Sequence, residues 1–97
     1  MIPPDLTPAE RAVLAALTEA ARSGARCPTN PELVPVVLKA TGGNVCATPA
    51  VERLWKRGLI RSEIYGSNWR VVEVFGVGRT AEAPTGGRPW RVNGVVL

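Results

Sequence analysis

The chain has 97 residues, the size of one domain, and its 45% hydrophobic and 21% charged residues are typical of a globular protein. Its net charge of +4 is uneven: residues 53–97 carry eight basic and three acidic side chains, whereas residues 1–52 carry four and five. Without histidine, and with one aspartate among scattered glutamates, the chain lacks the groups for triads, zinc sites and paired-carboxylate chemistry, so we expect no enzyme, metal or cofactor.

The N-terminal stretch "MIPPDL" has no signal-peptide pattern, and the apolar run "AVLAAL" is too short to span a membrane. We therefore expect a cytoplasmic protein with no membrane partner. Cys27 and Cys46 lie outside any CxxC pattern, and we expect both to serve as small apolar residues in a reducing compartment.

Three places combine a capping side chain with a proline that follows at once: Thr7-Pro8, Asn30-Pro31 and Thr48-Pro49. Proline is tolerated at the first helical position because its missing N–H would be unpaired there, while Thr or Asn accepts from the free amides just inside the helix. These pairs predict three helix starts.

The first predicted helix opens with "TPAE", a capping box of Thr7 and Glu10, and runs to about Ser23, where Gly24 ends it. The second helix covers residues 30–40, with an irregularity at Pro35, which removes a helix hydrogen bond. The glycine turn "TGGN" follows at residues 41–44.

The third predicted helix carries an apolar stripe of Val51, Leu54 and Trp55 at i, i+3 and i+4, and we place Trp55 in the core. A start at Thr48 is favoured, while a longer helix capped by Asn44 and kinked at Pro49 stays open. Gly58 ends the helix.

A β-hairpin comes next, in which "LIRSEI" (59–64) and "WRVVEVF" (69–75) flank the turn "YGSN" (65–68). With Gly66 and Ser67 at the tip, Ile64 faces Trp69 and Glu63 faces Arg70.

The remaining residues have two interpretations. The stretch 76–87 is rich in Gly, Pro and Ala, which predicts a flexible linker. Beyond it, Gly-Arg-Pro in "GGRPWR" resembles the core of an AT-hook, so Arg88 and Arg91 would form an arm in an A·T-rich minor groove. The apolar end "VNGVVL" instead favours a strand docked on this domain or on a second copy.

The stretches "LTPAERAVLAAL", "CPTNPEL" and "VERLWKRGLIRS" resemble segments of winged-helix repressors of the MarR and SOS-repressor kind. Those families have a capped first helix, a Pro-Thr-x-x-Glu-Leu entry to the second, and an Arg-Leu-x-x-x-Gly-Leu-Ile exit from the third into the wing. The resemblance covers residues 6–75 and implies an α+β winged helix-turn-helix fold of three helices and a two-stranded wing. Pro49 and residues 76–97 depart from that pattern. We assign residues 1–75 to this domain and residues 76–97 to a linker and C-terminal extension.

The resemblance implies binding of double-stranded DNA, with the third helix in the major groove and the wing against the backbone. Arg53 can donate to guanine O6 and N7, and Glu52 can accept from a cytosine amine. The base-reading candidates are Thr48, Ala50, Glu52 and Arg53. The phosphate and wing candidates are Lys56, Arg57, Arg61, Ser67, Asn68 and Arg70, with Arg88 and Arg91 as the minor-groove arm. Two competing roles stay open, a Glu52–Lys56 pair on the helix and an Arg70–Glu63 pair across the strands.

We therefore expect a sequence-specific DNA-binding protein, a small bacterial or phage transcriptional regulator that acts by promoter occupancy at the nucleoid. The alternative is a winged-helix module that binds a host or regulatory protein. Homodimerisation is left open, since "WRVNGVVL" is the one candidate segment for it.

Overall fold

The computed structural model describes residues 5–43, 46–84 and 86–97. Over these residues the chain is α+β, with three helices followed by five short strands. The elements are α1 (Pro8–Ser23), α2 (Asn30–Thr41), α3 (Thr48–Lys56), β1 (Ile60–Tyr65), β2 (Trp69–Val74), β3 (Gly78–Arg79), β4 (Arg91–Val92) and β5 (Val95–Val96). All strand pairs are antiparallel, in the order β3-β2-β1-β4-β5. The expected two-stranded wing is therefore part of a larger sheet.

Helix α1 is the element that the sequence predicts most closely. The Thr7 hydroxyl accepts from the Glu10 amide at 3.2 Å, and the Glu10 carboxylate accepts from the Thr7 amide at 3.1 Å. Gly24 ends the helix in the left-handed conformation, with φ of 67°. The predicted capping box and both ends of this helix are confirmed.

The caps of the other two helices differ from the prediction. Thr29, not Asn30, caps α2, because Glu32 three residues later completes a capping box with it. Ala47 occupies the cap position of α3 and makes no side-chain cap bond, so Thr48 is the first helical residue rather than the cap. The helix starts at Thr48, and Asn44, the alternative cap, lies outside the described residues.

The main core lies between the three helices and one face of the sheet. Each fully buried Leu or Val side chain stabilises the fold by about 1.5–3 kcal/mol relative to an exposed one. Trp55 packs against this core from its edge and is half-buried, so its predicted central position is only partly correct. The least exposed members of the core are Val13, Leu17, Leu33, Val37, Val51, Leu54, Ile60 and Val72.

The β1–β2 hairpin has a register one residue away from the predicted one. Tyr65 pairs with Trp69 and Ile64 with Arg70, so residues 66–68 form a three-residue turn. The predicted pairs, Ile64 with Trp69 and Glu63 with Arg70, are wrong because Tyr65 extends β1 instead of entering the turn. A one-residue slip exchanges the faces on which side chains lie.

The predicted linker is a packed segment of the domain. Strand β3 pairs with β2, and the amide and hydroxyl of Thr80 bond to the carbonyl and amide of Val72 at 3.0 and 2.9 Å. Ala83 packs with Tyr65 and Val71 in a second, smaller core. A flexible tether does not fit residues 78–83, which pair with β2 and pack on the smaller core.

The C-terminal residues form a hairpin, β4–β5, along the edge of β1 that β2 leaves free. Its turn places Asn93 and Gly94 at φ of 48° and 78°, as in a type I′ turn. Arg91 pairs with Ile64, and Val92 pairs with Glu63. The chain end is thus a docked hairpin and not an arm.

Candidate nucleic-acid interface

Helix α3 is the element on which the candidate site is built, and its buried face is Ala47, Ala50, Val51 and Leu54. The spacing i, i+3, i+4 and i+7 turns these residues to the core and leaves Trp55 at the rim. Ala50 retains 3% of its exposure, so the prediction that it reads bases is wrong. Thr48 and Arg53 are exposed, and Glu52 is partly exposed.

A cleft of about 410 Å³ opens beside the outer face of α3. One wall is α3, through Thr48, Glu52, Trp55 and Lys56. Ser62 and Ile64 of β1 form the floor, and the C-terminal hairpin forms the other wall with Arg91, Asn93 and Gly94. The first residue of α2 borders the cleft too, since Asn30 Nδ2 donates to the Thr48 hydroxyl at 3.0 Å.

The C-terminal hairpin is held in place by its turn. Asn93 donates its amide to the Ser62 carbonyl and accepts the Ser62 amide on its side chain, both at 2.8 Å. Gly94 lies against the Trp55 ring, which a Cβ at that position would approach to 3.1 Å. The sequence offered a docked strand here as one alternative, but not a hairpin beside α3, although Asn-Gly between apolar residues is a strong hairpin signal.

Lys56 and Arg91 place positive charge on the two walls of the cleft. Within the described residues Lys56 and Glu52 form no ion pair, so the predicted pair between them is wrong. Arg91 donates Nε to the Gly94 carbonyl at 3.2 Å, within its own hairpin. Among the described residues, neither Lys56 nor Arg91 forms an ion pair with a carboxylate.

Within the part of the chain that the structure describes, Arg70 forms no ion pair with Glu63, the alternative role that the sequence left open for it. Its guanidinium donates to the Asn30 side-chain oxygen at 2.7 Å, to the Pro28 carbonyl, and to Cys27 Sγ at 3.3 Å. These bonds tie β2 to the segment that enters α2 and engage the guanidinium that the sequence predicts as a phosphate contact. Burial raises the pKa of the Cys27 thiol, although the neighbouring guanidinium opposes this.

Two further basic candidates, Arg53 and Arg57, make ion pairs with acidic residues of the N-terminal part of the chain. Arg53 Nη1 lies 3.6 Å from Glu10 Oε2, and Arg57 Nη2 lies 2.7 Å from Asp5 Oδ1. This hydrogen bond from Arg57 is the main reason that the pKa of Asp5 is lowered. Glu10 is buried whereas Asp5 is exposed, so only the Arg57–Asp5 pair is of the weak, readily exchanged kind, although the Arg53 side chain itself is exposed.

Arg61 lies away from the cleft because side chains alternate along β1, with Ser62 and Ile64 lining the cleft. Arg61 Nε donates to Glu63 Oε2 at 2.8 Å, while Arg79 and Tyr65 donate to Oε1 at 2.8 and 2.9 Å. Burial alone would raise the pKa of Glu63, but these three hydrogen bonds outweigh it and lower the pKa. The structure therefore does not bring Arg61 together with the other phosphate candidates.

Ser67 and Asn68 are exposed in the β1–β2 turn, as a wing contact requires. They border a second cleft of about 360 Å³ with Trp69 and Arg26, whose guanidinium carbon lies 5.0 Å from the Trp69 ring centroid. Trp90 donates Nε1 to the Gly66 carbonyl at 2.6 Å, which joins the C-terminal hairpin to this turn. Arg88 is exposed just before it.

The chain has no match among protein-family models, curated proteins or solved structures. Within residues 5–43, 46–84 and 86–97, no helix is long and apolar enough to cross a membrane. In the same residues no three His, Cys, Asp or Glu side chains are grouped so that they could hold a metal ion.

Proposed function

We propose that this chain is a sequence-specific double-stranded DNA-binding protein of the winged helix-turn-helix type, a bacterial or phage transcriptional regulator that acts by promoter occupancy. The observation that carries the proposal is the exposed surface of α3: Thr48 and Glu52 border a cleft with cations on both walls, and Arg53 is exposed outside that cleft, on the side of α1. A polyanion that approaches this face meets the helix and these cations together.

The reading element in this proposal is the first half of α3. An α-helix with its side chains is about 10–12 Å in diameter, which fits the roughly 12 Å width of the major groove of B-DNA. Recognition helices contact base edges mainly through their N-terminal residues. Arg53 donates to guanine, Glu52 accepts from cytosine, and Thr48 is held in position by its bond from Asn30.

The remaining candidates position the duplex. Lys56 and Arg57, at the other end of the helix, contact phosphates without reading sequence. Ser67 and Asn68, in the exposed turn between β1 and β2, contact the backbone as a wing.

The experiment that tests this proposal is selection of bound duplexes from a random pool, followed by anisotropy titration of the selected duplex at several salt concentrations. Enrichment of a defined sequence, with affinity that falls steeply as salt rises, supports it. If the pool stays unenriched and no duplex binds at low salt, the assignment is wrong.

A second candidate function is a protein-interaction module, favoured by the apolar surface of the C-terminal hairpin. Val95, Val96 and Leu97 expose 62%, 65% and 74% of their surface on an edge strand, beside the exposed Trp90. A host protein or a second copy could cover this edge. Sedimentation at several concentrations separates a homodimer from a monomer, and an absence of DNA binding would favour a protein partner.

A further inference from the structure

The C-terminal hairpin is fixed beside α3 from three directions. Asn93 bonds to Ser62 of β1, Gly94 lies against Trp55 of α3, and Trp90 bonds to the β1–β2 turn. This wall therefore needs no rearrangement before it meets a ligand, so little ordering entropy opposes binding there.

The charges of the cleft are arranged unevenly along α3. Glu52 lies one turn before Lys56, so the carboxylate is nearer the start of the helix and the ammonium is at its last residue. Arg91 adds a second positive charge from the hairpin wall. Arg70 adds a third, but its guanidinium N–H groups already donate hydrogen bonds within the protein, one of them to Asn30. Three cations therefore line the cleft against one carboxylate, that of Glu52, and this balance favours an anion in it.

The hairpin closes the space next to Trp55, which limits what can approach the second half of α3. Gly94 packs against the indole ring, so the hairpin covers one side of this half of the helix. A narrow anionic chain between the two walls satisfies both the shape and the charge of this end.

We propose that one phosphodiester strand of the bound DNA lies in this cleft, held by Lys56 from α3 and by Arg91 from the C-terminal hairpin. The hairpin is then a second backbone-binding element, on the other edge of β1 from β2. This inference rests on the proposed function and adds a contact that the first 75 residues alone do not supply.

The test is anisotropy titration of a labelled mixed-sequence duplex from low to moderate salt, with the full chain and its Arg91→Ala, Arg91→Lys and Arg22→Ala variants. Arg22, exposed at the end of α1, is the matched control for loss of one positive charge. We expect Arg91→Ala to lower the slope of log affinity against log salt by about one. Arg91→Lys should keep most of that slope, and Arg22→Ala should leave it unchanged.

Thermal melting of the same variants separates binding from folding. Unchanged melting of Arg91→Ala together with its lower slope supports the inference. If the parent binds DNA but Arg91→Ala has the same slope as Arg22→Ala, the cleft contact is wrong while the proposed function stands. If Arg91→Ala melts at a lower temperature and Arg91→Lys does not restore the salt slope, the contact is wrong, because the Arg91 side chain would then affect binding by stabilising the fold. If the parent binds no duplex, the proposed function itself has failed.

Discussion

Gly94 and Trp55 are 39 positions apart in the chain, yet a Cβ on residue 94 would lie 3.1 Å from Cζ2 of the Trp55 ring. This contact joins the C-terminal hairpin to α3 and decides where the second wall of the cleft stands. Glycine is favoured there for two reasons: the backbone is left-handed, with φ of 78°, and an added Cβ would force the Trp55 ring to shift by a few tenths of an ångström.

Gly94→Ala should therefore lower the free energy of unfolding by about 1–3 kcal/mol, through backbone strain and displacement of the ring. Gly87→Ala is the matched control, since Gly87 has φ of 87° and nothing within 4 Å of an added Cβ. Urea denaturation of both variants measures the difference. Equal losses would show that the Trp55 contact contributes nothing beyond the strain of the turn.

Arg53→Ala should relax the sequence preference at one base pair, at a cost of about 1–3 kcal/mol for the preferred site. Lys56→Ala should instead weaken all sequences alike, because a phosphate contact carries no sequence information. Titration of each variant with the selected duplex and with single-base variants of it distinguishes these results. A uniform loss from both substitutions would contradict base reading by Arg53.

Arg70→Met tests the structural role of a residue that the sequence favours as a phosphate contact. The substitution keeps an apolar stem but removes the bonds to Asn30, Pro28 and Cys27, so we expect unfolding to become easier by about 1–3 kcal/mol. The salt slope of DNA binding should stay as in the parent. A lower slope with unchanged stability would show that Arg70 contacts phosphate after all.

Glu63 should make the stability of the fold depend on acid pH. Its pKa is lower in the folded chain than in the unfolded chain, where it is about 4.3, so the unfolded state takes up the proton first. The stabilisation is present above that value and is lost as the pH falls through the lower, folded-state pKa.

The check is urea denaturation between pH 7 and pH 3 for the parent, Glu63→Gln and Glu19→Gln. We expect Glu63→Gln to be less stable at pH 7 by about 1–3 kcal/mol, because charged hydrogen bonds are lost, and to show a weaker fall in stability toward acid pH. The exposed Glu19 on α1 is the control and should change little. The same acid sensitivity in Glu63→Gln as in the parent would exclude Glu63 as its source.

The sequence by itself determined the elements whose causes lie within a few residues. Thr7, Glu10 and Gly24 define α1 through contacts three or four positions apart, and such contacts are independent of the rest of the fold. The capping box of Thr29 and Glu32 is also a local pattern in the sequence. The Asn30-Pro31 pair led to a predicted cap at Asn30, one residue after the cap that the structure shows. The outward positions of Thr48, Glu52 and Arg53 followed from helical periodicity. An error of one position in the predicted apolar stripe changes the burial of residues at its border, but it leaves these three outside the core.

Only the tertiary structure decided how those elements meet. Packing of α3 against its neighbours buries Ala50 and moves Trp55 to the rim, a rotation that the apolar stripe alone did not specify. Arg70 bonds to residues 40 to 43 positions earlier, and the Thr80 and Ala83 contacts depend on a sheet face that the predicted linker was not expected to cover. The cleft beside α3 exists because β4 pairs with the free edge of β1 and Gly94 packs against Trp55. Contacts between residues so far apart in the sequence depend on the shapes of the packed elements and on competing partners elsewhere in the chain. A local pattern of residues does not predict them.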